Sequence, residues 1–213
     1  NLPAVVANTM LISKPDATGY LASTTADVRN FLDTAVSVTT RAALKALDTT
    51  KDSWAMFDGN MWAFLAGNYS AHVAADTKEG LYVKATAIAD TVGCWVRLYD
   101  EAVNILWFQA VGDGVTDDVD SFNVAIDILT VLGGGVLFVP AKTFAVGNSN
   151  PGAVSTYDRW AIKFSTGNDN IEIRGAKGSK IFLLASANAV TIMIGKLTST
   201  YESVHNIKIS GLE

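Results

Sequence analysis

The apolar and polar positions of the chain change their spacing along its length, and the sharpest change lies near the middle. Phe122, Ala125, Ile126, Leu129 and Leu132 recur at intervals of three and four, so they share one face of an α-helix predicted over residues 119–132. Before it, Asp113-Gly114 is a tight-turn dipeptide. Asp117 or Asp118 then caps the helix, with Asp120 in the first turn near the positive end of the helix dipole. Gly133, Gly134 and Gly135 end the helix, and Val136, Leu137, Phe138 and Val139 form an unbroken apolar run between glycine and Pro140. Such a run predicts a strand covered on both faces.

Upstream the elements are shorter. Pro3 to Ile12 is apolar and β-branched, and Asp16-Ala17-Thr18-Gly19 supplies a turn before Tyr20 and Leu21, predicting a short hairpin. Thr24 with Asp27 reads as a capping box for a short helix that places Val28, Phe31 and Leu32 on one side, and a second short helix is predicted from Thr40 to Leu47. Residues 1–50 therefore make an α/β segment whose pieces are too small to hold a core alone; they must pack on each other, on neighbouring chains or on a partner. Residues 51–109 read as a small β-rich domain. Trp54–Phe57, the turn Asp58-Gly59-Asn60 and Met61–Leu65 predict a hairpin, followed by strands at Leu81–Lys84 and Cys94–Tyr99. Four of the five tryptophans fall between Trp54 and Trp107, and in so small a domain they are expected in its core before they are expected to stack on sugar.

After Pro140, short strands alternate with polar and glycine turns at Phe144–Val146, Ala161–Phe164, Ile171–Arg174, Ile181–Leu184, Val190–Ile194 and Ile207–Ile209. One unit repeats. Asn170-Ile171-Glu172-Ile173-Arg174-Gly175 returns as Asn206-Ile207-Lys208-Ile209-Ser210-Gly211, an offset of 36 residues. Isoleucines alternate with polar residues and each copy ends on glycine, as stacked coils of a solenoid require.

Gly112-Asp113-Gly114-Val115-Thr116-Asp117-Asp118, the helical run, Gly133-Gly134-Gly135-Val136-Leu137-Phe138-Val139-Pro140 and the later Phe144 together resemble the opening of the pectate-lyase-like right-handed β-helix. That opening is common in phage tailspikes and in pectin-degrading enzymes. Gln109, Val119 and Lys142 stand where such proteins more often carry small residues or threonine. The resemblance implies that residues 110–213 start a right-handed parallel β-helix and that the helix over 119–132 caps its first rung, a structural role with no catalytic residue. Residues 51–109, with their lead-in Val103–Phe108, resemble the neck that often precedes this motif in tailspikes, and residues 1–50 resemble a small virion-anchor segment. The fold class expected is thus mainly β.

Composition narrows the function. A hydrophobic share of 49% in 213 residues is enough for a substantial core. The balance of 16 basic against 21 acidic residues, net −5, argues against a nucleic-acid surface built on phosphate neutralisation. Cys94 is the one cysteine, so no disulfide closes within the chain. No apolar run reaches the length of a membrane span, and the first residues lack the pattern of an export signal. The chain opens on Asn1 without methionine and stops after a strand-like run, as expected of a piece of something longer.

Asp113, Asp117, Asp118 and Asp120 are the densest acidic cluster, and paired carboxylates can serve glycoside cleavage. Aspartates at a turn entering a helix also cap backbone donors, which is the reading adopted, and their spacing misses the pattern of a calcium loop. His72 and His205 lack the paired spacing of zinc ligands. No nucleophile elbow, dinucleotide fingerprint or phosphate loop occurs; Gly175-Ala176-Lys177-Gly178-Ser179-Lys180 has the wrong spacing for the last. The sequence therefore assigns no catalytic, cofactor-binding or metal-binding residue. The tailspike resemblance implies a homotrimer in the phage tail, made in the host cytoplasm. It would be held to tail or baseplate proteins by its N-terminal segment and carry a distal β-helix that binds host surface polysaccharide and, in depolymerases, cleaves it. The alternatives are a bacterial pectate-lyase-like lyase or hydrolase and a non-catalytic β-helix adhesin.

Overall fold

The computed structural model describes residues 9–13, 20–24, 35–149, 159–185, 188–194 and 204–212, with the backbone alone for the first two stretches. The short helix expected through Val28, Phe31 and Leu32 lies outside the described residues. Two compact units emerge, one from residues up to Tyr69 with Val83–Leu98, the other from Ser70–Tyr82 with Tyr99 onward.

In the first unit, β1 (Thr9–Ser13) and β2 (Tyr20–Thr24) pair antiparallel, with Leu11 opposite Ala22, as the predicted hairpin requires. A mixed sheet follows in the order β3 (Val36–Ser37), β4 (Trp54–Phe57), β5 (Asn60–Ala66), β7 (Gly93–Arg97), β6 (Tyr82–Val83). Strands β4 and β5 join through Asp58-Gly59 with φ of 53° and 67°. Both values are left-handed, and this mirror-image turn matches the twist of the flanking strands. Because Ala55, Trp62 and Arg97 are register partners, they share one sheet face. Helix α1 (Arg41–Lys45) covers that face with Leu44, and the Thr40 hydroxyl caps it by accepting the Ala43 N–H at 3.1 Å. The core is Leu44, Ala55, Trp62, Val83, Ala85 and Trp95, with Phe57 and Phe64 packed against it. Trp62 and Trp95 are fully buried, each removing roughly 200 Å² from water, or about 5 kcal/mol of transfer free energy as an upper bound.

The second unit is a stack of parallel strands. Its first face runs β8 (Ala102–Asn104), β10 (Gly135–Val139), the first half of β13 (Ile171–Leu183), then β15 (Lys208–Leu212); its second runs β9 (Asp113–Asp117), β11 (Thr143–Val146), the second half of β13. The third face pairs β12 (Trp160–Phe164) with β14 (Val190–Ile194). All these pairings are parallel, and the chain visits the faces in rotation, so the unit is the start of a parallel β-helix. Val103, Leu137, Ile173 and Ile209 lie in register across four successive coils, and the first three are buried. The sequence repeat is thereby explained, since Glu172 pairs Lys208 and Ile173 pairs Ile209.

Helix α3 (Val119–Val131) buries Phe122, Ala125, Ile126, Ile128 and Leu129. It packs against β10, β12 and β13, against the 3-10 turn Ile105–Phe108, and against helix α2 (Ser70–Ala75). Phe122 meets Phe144 edge to face at 5.7 Å. The amide of Asn123 donates to the Ala161 carbonyl at 3.1 Å and to the Ser149 hydroxyl at 2.8 Å. The helix thus covers apolar side chains that a first rung would otherwise leave in water. Two expectations change in detail. Strand β10 buries Leu137 and Val139 but leaves Val136 and Phe138 half-buried, because only one face of a solenoid strand points inward. The strands expected at Ile171–Arg174 and Ile181–Leu184 belong to one strand, β13, which pairs β10 over residues 171–175 and β11 over residues 180–183, with a φ of 91° at Gly178 between them.

Candidate functional site

The acidic cluster sits where the chain enters the solenoid, and each carboxylate that turns inward meets backbone amides. Asp118 is 2% exposed and accepts the N–H of Val111 at 2.6 Å and of Gly112 at 3.1 Å. Asp117 accepts the N–H of Gly147 at 2.7 Å and of Val119 at 3.1 Å. It therefore ties the start of α3 to the end of β11, while Asp118 occupies the cap position without a side-chain capping bond. Asp113 accepts the N–H groups of Thr116 at 2.7 Å and Val115 at 2.8 Å and the Thr116 hydroxyl at 2.8 Å. Those donors, Thr116 first, hold its pKa down to about 2. Asp120 is exposed in the first helical turn. Three of the four aspartates thus serve as acceptors for the protein's own backbone N–H groups.

The outer face of β13 and β15 carries a charge network across coils. Glu172 accepts from Lys208 at 2.9 Å and from the Ser210 hydroxyl at 2.9 Å, and Arg174 lies 3.4 Å away. Lys208, then Ser210, lowers its pKa. At the adjoining corner Asn170 and Asn206 both have left-handed backbones, φ 58° and 54°, and Asn206 donates its amide to the Asn170 side-chain oxygen at 3.0 Å. The Asp169 carboxylate accepts the His205 N–H at 2.7 Å, 36 residues away. His205 is therefore a coil-to-coil tether, with its ring nitrogen 3.4 Å from the same carboxylate oxygen. The His72 ring lies beside that of Tyr82, tilted by 46° with the centroids 4.7 Å apart. Among the described residues no group of three or more His, Cys, Asp or Glu is placed to hold a metal ion. Nor is any described helix long and apolar enough to cross a membrane.

Sequence reasoning missed two buried polar groups. Asp76, 1% exposed, accepts the N–H groups of Gly80, Leu81 and Tyr82 at 2.9, 2.7 and 2.8 Å. Arg97, 1% exposed, lies over Trp62 at 4.5 Å from the ring centroid and 3.7 Å from the Asp58 carboxylate. Neither residue belongs to a local motif, and nothing in its own neighbourhood marks it. Of the tryptophans, Trp62 and Trp95 lie in the core, whereas Trp54 and Trp107 are half-buried.

No protein-family model and no curated protein sequence matches the chain. Among solved structures, the full-length tailspike protein 2 of Escherichia coli O157:H7 bacteriophage CAB120 aligns over 99% of this chain and 26% of its own, with a TM-score of 0.54 at 16% identity. The fold is shared with a phage tailspike. The tailspike gp49 of Acinetobacter baumannii bacteriophage Fri1, a capsular polysaccharide depolymerase, aligns over 67% of this chain and 23% of its own, with a TM-score of 0.43 at 18% identity. The chain thus spans about a quarter of the length of these two tailspikes.

Proposed function

We propose that the chain is the N-terminal part of a phage tailspike or tail fibre, which joins the protein to the virion and supports a β-helix that binds host surface polysaccharide. In this reading residues 1–50 are the virion anchor, 51–109 the neck, and 110–213 the start of the solenoid. The observation that carries it is the end-to-end fold likeness to the phage CAB120 tailspike over 99% of the chain, together with a helix-capped opening of parallel coils. The stapled aspartates support a supporting role for this region, with cleavage of polysaccharide, where it occurs, placed in later coils or between subunits. The active particle is a homotrimer, in which the small N-terminal elements bury their apolar faces between chains.

Removal of residues 1–50 from the full-length protein tests the division of labour. The truncated protein keeps any polysaccharide-binding or cleaving activity and fails to join virions. Incorporation of the truncated protein into particles, or degradation of capsule or lipopolysaccharide by residues 1–213 alone, overturns it. Native mass measurement of the full-length protein gives three chains; a stable monomer overturns the trimer.

A further inference from the structure

We draw no further inference here: the strongest candidate, the exposed apolar side chains of Val115 on β9 and Phe182 on β13, carries nothing because nothing in the structure shows what covers them.

Discussion

Asp118 offers the most direct test of how the solenoid is closed at its start. Its carboxylate is 2% exposed and accepts two backbone N–H groups. A hydrogen bond to a charged acceptor contributes about 1.5–3 kcal/mol, and a buried donor left without a partner costs about 1–3 kcal/mol. Both amides here are only part-buried, so water recovers some of the loss, and Asp118→Ala is expected to cost about 3 kcal/mol in all. Asp118→Asn keeps the shape but turns an NH₂ group toward one of the two donors, so one neutral bond survives and the cost is about 2 kcal/mol. Exposed Asp120→Asn should change stability by under about 0.5 kcal/mol. For a chain of this size, about 3 kcal/mol corresponds to a fall in Tm of roughly 6–12 °C. The two compact units need not melt together, so the local readout is hydrogen exchange at Val111 and Gly112, whose protection should drop in both Asp118 variants. If Asp118→Ala is no worse than Asp120→Asn, or if those two amides stay protected, the staple is not what holds this end together.

Further outcomes follow from the same geometry. Leu129→Ala removes a side chain buried under the capping helix and should lower stability by about 3 kcal/mol in urea unfolding, whereas exposed Val131→Ala should do little. Gly175→Ala puts a methyl group 2.6 Å from the Gly211 carbonyl oxygen of the next coil; because both partners are backbone, the coils must part, at about 1–3 kcal/mol by denaturant titration. Asp113 has a folded pKa of about 2 against an ordinary 3.8. Its contribution to stability is therefore full above the unfolded value and lost as pH falls from about 4 through about 2. In Asp113→Asn the pH dependence of unfolding should flatten in that window, and an unchanged profile would count against the assignment.

Much of this architecture is legible in the sequence, and the boundary of legibility has a physical cause. Helix α3, the Asp58-Gly59 hairpin and the inward isoleucines each announce themselves through local period or turn chemistry, because one segment contains the whole signal. The 36-residue echo goes further, since two copies of a coil must present the same residues in register. What escaped depends on partners remote in sequence. Glycines 175 and 178 read as a break between two strands, yet β13 runs through them, paired with β10 before Gly178 and with β11 after it. Asp117 looks like a helix cap, and only the fold brings the Gly147 amide to it. Arg97 sits at a strand position where a charge suggests solvent, and an aromatic face with a carboxylate beside it makes burial tolerable. Asp118 stands at the helix cap position, yet the amides it serves lie before the helix rather than inside it.

The first rung and the last described rung are chemically unlike. At the first rung, β8 is three residues long, Asp113 occupies the amides of Val115 and Thr116 on β9, and α3 lies against β12. Strand-to-strand growth in that direction is blocked. At the last described rung, Ile194 and Ile209 are 54% and 40% exposed, and Asn206 repeats the corner that Asn170 makes one coil earlier. Each coil of a solenoid meets only its neighbours, so a foreign run of coils grafted after this rung has a single seam to satisfy: an inward isoleucine, a left-handed asparagine and a glycine.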